Sequence, residues 1–202
     1  MMDDSGTPFE DAVDDATLFP GPGDKFFPAA PVAATRARST GQSWYEYTTG
    51  YKEAADVLVA HIETTARGYA KLRYPILFLY RQHLELVVKD LIRECCSTLG
   101  RDADFPKHHF LDQLWNRCVG LLREISPAAS PSEINETTRL FDELCKVDPA
   151  SEAFRYPENR SGNESVPPAI DVDLSGVRDV VERISFFLDC IDTSLKAERD
   201  AF

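Results

Sequence analysis

A long helical period runs through the middle of the chain and dictates the architecture around it. Leu77, Tyr80, Leu84, Val87, Val88, Leu91 and Cys95 return every third or fourth residue, down to Gly100. That spacing puts them on one face of an α-helix. The stretch Ile76 to Tyr80 is apolar all round, which marks a central helix covered on several sides. Pro75 is expected in its first turn, where a missing N–H costs nothing.

A central helix needs partners of matching period, and the sequence supplies them. Tyr51, Ala55, Leu58, Val59 and Ile62 predict a helix near 49–67, stopped by Gly68. Phe110, Leu111, Leu114, Trp115, Cys118, Leu121, Leu122 and Ile125 predict another near 106–125, ended by Ser126-Pro127. Ser130-Pro131-Ser132-Glu133 is a capping box with proline at the first helical position. It opens a fourth helix marked by Ile134, Thr138, Phe141, Leu144 and Cys145 and closed by Asp148-Pro149. Asp173 is an N-cap for a fifth helix, running to about 198 on Val177, Val180, Val181, Ile184, Phe187, Leu188, Ile191 and Leu195. No segment reads as a strand. The expected fold class is all-α, an antiparallel bundle of about five helices.

Two regions fall outside the periodic segments. Residues 1–42 carry Pro-Gly-Pro-Gly, repeated alanines and scattered acids, the composition of a disordered acidic tail. Phe19, Phe26 and Phe27 are the apolar exceptions there, suited to a short docking segment. The domain proper is expected at 43–202. Residues 149–170 are long for a connection inside a compact domain, and Phe154-Arg155-Tyr156-Pro157 argues that they pack rather than float.

Composition narrows the function classes. The net charge is −12, and residues 1–48 contribute eight acids against three bases, a net of −5. Such a chain repels bulk nucleic acid at long range. Arg67, Lys71 and Arg73 form a local basic cluster whose ordinary reading is a solvated turn. Five cysteines, with no Cys-x-x-Cys pair, fit neither a disulfide framework nor a zinc site. No apolar run is long enough for a bilayer, and the N-terminus has no signal-peptide pattern. A soluble cytoplasmic protein is expected, with no membrane partner, no metal and no cofactor.

Polar residues that bear on chemistry concentrate in a few places. Arg81, Glu85 and Lys89 are spaced four apart and form a charge ladder on one helix face. The ordinary reading is a row of ion pairs at a solvent edge; the sharper one is a polar row lining a cleft between helices. His61 and His83 sit on the first two helices as structural or exposed residues. His108 and His109 are expected to begin the third helix, where the helix dipole favours a neutral imidazole able to act as a base. Arg101 precedes His108 by six intervening residues. An arginine and a histidine are the minimum for metal-free RNA cleavage. Arg155, Tyr156 and Arg160 in the long connection are candidate contacts for phosphate or a partner. The ordinary role of the two arginines is to pair with Glu152 and Glu158.

Two of these segments resemble the HEPN superfamily. They are Tyr80-Arg81-Gln82-His83-Leu84-Glu85-Leu86-Val87-Val88-Lys89-Asp90 and His109-Phe110-Leu111-Asp112-Gln113-Leu114-Trp115. Glu85 and Lys89 match the family's Glu, three residues, Lys pattern, and His109 to Leu111 is similar to its downstream His-x-Leu element. The resemblance covers roughly residues 50–198. It implies a small helical bundle, often dimeric, of toxin–antitoxin, abortive-infection or CRISPR-associated systems. Active members carry an Arg, four to six residues and a His near the start of a late helix. Here no histidine lies beyond His109, and the Arg101–His108 spacing falls between the second and third helices. The resemblance therefore implies a degenerate, non-catalytic binding or assembly module. It would be a homodimer or the mate of a partner protein, with RNA or a nucleotide as the other ligand class. Arg81, Glu85, Lys89, His109, Arg155, Tyr156 and Arg160 would form its binding surface. The alternatives are a metal-free ribonuclease using Arg101 and His108, with Glu85 orienting the arginine, and a generic helical adaptor.

Overall fold

The computed structural model describes residues 24–27, 43–126, 131–166 and 172–200. Five helices are present among them: α1 Trp44–Thr65, α2 Tyr69–Thr98, α3 Leu111–Ile125, α4 Pro131–Val147 and α5 Leu174–Asp200. The described residues contain no strand beyond an isolated antiparallel bridge between Glu158 and Glu164. The chain is an all-α bundle. The chain divides into Met1–Gly41 and Gln42–Phe202. Within the first unit, Phe26 and Phe27 meet edge to face at 5.0 Å and both are exposed. The rest of the expected tail, including Phe19, and Ser130 of the capping box lie outside the described residues.

The 30-residue helix α2 is the hub. It packs against α1, α3 and α5, while α4 is carried by α3. Ile76, Tyr80, Leu84, Val88, Leu91, Ile92, Cys95 and Cys96 are all buried along it, more than one stripe would supply. At about 1.5 Å per residue its rows of side chains serve three neighbours along roughly 45 Å. Gly100, at φ +66°, takes the left-handed position just past the helix end. The Arg101 N–H then reaches the Cys96 carbonyl at 2.8 Å, a Schellman closure that satisfies an orphan carbonyl.

Several helix boundaries differ from the sequence expectation. Helix α1 starts five residues earlier than expected, because Ser43 Oγ accepts the Glu46 N–H at 3.2 Å and caps it. It ends at Thr65 with Ala66 left-handed, and Gly68, at φ +87°, serves instead as the N-cap of α2. Pro75 consequently lies inside α2, not in its first turn.

Side-chain hydrogen bonds fix the helices against one another. Trp115 Nε1 donates to Thr138 Oγ1 at 2.8 Å, and its ring meets Phe141 edge-on at 5.3 Å, joining α3 to α4. The Tyr80 hydroxyl donates to Asp56 Oδ1 at 2.7 Å, joining α2 to α1. His83 is buried and touches three helices at once. Its Nδ1 lies 2.9 Å from the Thr48 carbonyl and its Nε2 lies 2.7 Å from Ser185 Oγ. A carbonyl can only accept, so Nδ1 carries the hydrogen and Nε2 accepts from serine. All five cysteines are free; Cys95, Cys96 and Cys118 are buried.

Candidate functional site

The charge ladder on α2 is not a solvated row. Arg81 and Glu85 are both 0% exposed and Lys89 is 6% exposed. The spacing alone does give the pairing: Arg81 Nη1 donates to Glu85 Oε2 at 2.8 Å, and Lys89 Nζ donates to Glu85 Oε1 at 2.7 Å. What removes the row from water is two loops laid over it. From the segment before α3, His109 places Nδ1 2.8 Å from Glu85 Oε1, and its backbone carbonyl accepts from Arg81 Nη2 at 2.6 Å. From the end of α4, the Asp148 carbonyl accepts from Arg81 Nε at 3.2 Å.

Asp148 completes the charge balance. Its Oδ2 lies 3.3 Å from Arg81 Nε, yet receives no well-aligned hydrogen bond and is buried, because that N–H points at the Asp148 carbonyl. Its Oδ1 accepts the backbone N–H groups of Glu152 and Ala153 at 2.8 and 3.0 Å. The loop is thus folded around the aspartate, with Ser151 buried at φ +61°. Two buried cations, Arg81 and Lys89, face two buried anions, Glu85 and Asp148. Burial pushes the Glu85 carboxyl up, but hydrogen bonds from Lys89 and His109 and the charges of Lys89 and Arg81 outweigh it. Its pKa therefore falls below the usual 4.5, and the carboxylate stays ionised at neutral pH.

His109 is where this buried network reaches solvent: its side chain is 57% exposed. It precedes α3 rather than opening it, since the helix begins at Leu111. An ionised carboxylate can only accept, so Nδ1 bears the hydrogen, and in the neutral ring the lone pair is on Nε2. One ring is therefore held in a single tautomer by a buried carboxylate, and its backbone is pinned by a buried arginine. Chemically, such an imidazole can take a proton or accept a hydrogen bond from a ligand.

The other candidate residues are engaged elsewhere. Arg101 Nη2 donates to Glu124 Oε2 of α3 at 2.6 Å, and both side chains are about half exposed. His108 Nδ1 accepts the Phe110 N–H at 3.3 Å, and its ring packs against Phe110 at 5.4 Å. The partners of Glu85 are Arg81, Lys89 and His109. Arg155 donates from Nε to the Ser151 carbonyl and lies over the rings of Phe78 and Tyr156. Arg160 pairs with Glu152 at 2.6 Å, the partner expected of it. Tyr156 is 57% exposed, and with Arg160 it lines a hollow of about 490 Å³ beside the loop.

Asp148 is the residue that sequence reasoning missed, having served there only as a helix stop. Its one signal is the Asp-Pro step at the end of the apolar period, which announces a turn but not a buried charge. The helical period puts His83 on α2, but nothing local foretells a ring bridging three helices. Among the described residues no group of three or more His, Cys, Asp or Glu side chains is arranged to hold a metal, and no helix is long and apolar enough to cross a membrane. Comparison of the chain with protein-family models, curated proteins and solved structures returned no match.

Proposed function

We propose that the chain is a HEPN-like helical binding or assembly module, non-catalytic and cytoplasmic, of a bacterial defence or toxin–antitoxin type system. It acts as a homodimer or against a partner protein. The observation that carries this reading is the employment of its polar side chains. Arg81, Glu85, Lys89 and Asp148 brace α2 against two loops from inside the protein. Arg101, the arginine at ribonuclease spacing, is spent on a surface pair with Glu124. The groups left facing solvent beside the brace are His109, Tyr156 and Arg160, a small polar and aromatic surface of the kind a protein partner covers.

A metal-free ribonuclease is the second reading. The observation favouring it is the Glu85–His109 pair, which leaves an oriented Nε2 open to a ribose hydroxyl. In that reading His109, not His108, is the base.

The test is RNA cleavage by the purified protein at neutral pH in EDTA, with Arg101→Ala, His108→Ala and His109→Ala alongside the wild type. We expect no cleavage by any of the four, and a mass above that of the monomer by light scattering. Cleavage that disappears in any of the variants overturns the binding-module reading.

A further inference from the structure

The four histidines of the chain are placed in four different ways. His83 is buried with both ring nitrogens bonded. His108 has Nδ1 on the Phe110 N–H. His61, on α1, is exposed and has no carboxylate partner among the described residues. His109 alone joins a buried carboxylate to an open nitrogen. Its Nδ1 lies 2.8 Å from Glu85 Oε1, its ring is exposed, and its Nε2 has no hydrogen-bond partner among the described residues. The backbone behind the ring is held as well, by Arg81 Nη2 on the His109 carbonyl.

A neutral imidazole oriented in this way is a nucleophile. When Nε2 bonds to an electrophile, the ring becomes a cation that keeps its Nδ1 hydrogen, and Glu85 holds that hydrogen throughout. The charges already behind the ring cancel, since Arg81 and Lys89 face Glu85 and Asp148. The new positive charge is therefore best met by a group that brings negative charge with it. The site is also wet: His109 lines none of the hollows between α2, α4 and α5, between α3, α4 and α5, or along residues 147–166. An acyl group on so open an imidazole would be lost to water. A metal would need further ligands, and no group of three or more His, Cys, Asp or Glu side chains among the described residues is arranged to hold one. A phosphoryl group meets both conditions. Its oxygens stay hydrated at an open position, and their charge offsets that of the ring.

We propose that His109 is a phosphoryl acceptor, modified at Nε2 by an acyl phosphate. The Nε2 lone pair attacks phosphorus and forms the N–P bond. The P–O bond to the acyl group breaks, and its electron pair leaves with the carboxylate product. No proton is transferred, because Nδ1 keeps its hydrogen on Glu85. Glu85 is a positioning residue in this step. The proposal does not depend on the HEPN-like reading, and the RNA-cleavage result leaves it standing either way.

Incubation of the full chain with acetyl phosphate at neutral pH tests it. Tandem mass spectrometry reads the residue, and phosphorus NMR reads the nitrogen. One phosphoryl group should appear on His109 Nε2, labile in acid and stable in alkali. His61, exposed and without a carboxylate, is the reference within the same molecule, and His109 should react about tenfold faster. In urea-unfolded chain the two should react alike, since the advantage comes from the fold. Glu85→Gln, with circular dichroism confirming that it is folded, should bring His109 down to the rate of His61. His109→Ala should lose the fast label and His108→Ala should keep it. A wild type that takes no label on His109, or takes it no faster than on His61, overturns the proposal. So does a label on Nδ1, or a folded Glu85→Gln variant labelled as fast as the wild type.

Discussion

Replacing Glu85 with glutamine keeps the side chain's shape and removes only its charge. In the folded protein that carboxylate is completely buried and is shared by Arg81, Lys89 and His109. Glutamine offers one acceptor oxygen where the carboxylate offered two, and its amide nitrogen would face a cation. Arg81 would keep Asp148 at 3.3 Å, but Lys89 would be left buried without a counter-charge. Breaking a buried pair by removing one member costs about 3–5 kcal/mol, against about 5–15 kcal/mol for a whole domain. At about 2–4 °C per kcal/mol for a domain of this size, the melting temperature should fall by roughly 6–20 °C. Urea unfolding gives the free energy directly, and an unchanged m-value would show that both states remain comparable. The pH dependence supplies a second reading. A carboxyl whose folded pKa is depressed contributes stability that is present above its ordinary value of 4.5 and is lost as pH falls through the folded one. The variant's stability should therefore fall less steeply below pH 4.5 than the wild type's. A loss under about 1 kcal/mol, the worth of an exposed pair, would refute the claim that this network is a desolvated brace.

Two further substitutions test the frame around it. Burial, and more weakly the charge of Lys52, hold the His83 imidazole below its ordinary pKa of 6.5, while the Thr48 carbonyl opposes them. The neutral ring is thus favoured in the fold, so stability is full above pH 6.5 and declines as pH drops below it; His83→Gln should flatten that decline in urea titrations at pH 7.5 and 5.5. Gly100→Ala forces a side chain into a left-handed residue at φ +66°, and should lower stability by about 1–2 kcal/mol without altering the fold, as read by the same unfolding midpoint.

The sequence was most informative where one period runs unbroken. The α5 stripe and its Asp173 start agree with the structure to within two residues. The apolar period gives a late start for α1 because its first turn is aromatic and polar. The Ser43-Trp44-Tyr45-Glu46 pattern, a capping-box sequence, carried the missing signal. Proline at 75 looks like the opening of α2, whereas Gly68 already provides one. The ladder was visible as a pairing but not as a buried one. Residues spaced four apart pair in the same way on a wet face and a dry one. What dries this face comes from His109, 24 residues away, and Asp148, 67 residues away, distances over which local pattern carries no information.

The grip of Arg81 on both the His109 and Asp148 carbonyls has a consequence for how the protein opens. Surface loops ordinarily fluctuate at little free-energy cost, as independent units of low stability. Here the amides of Glu152 and Ala153 hang on Asp148, and Asp148 hangs on a side chain rooted in the central helix. Releasing either loop uncovers a guanidinium at the heart of the bundle. The backbone around His109 and from Asp148 to Ala153 should therefore open together with α2, and its amide hydrogens are expected to exchange with solvent at the pace of the core rather than of the surface.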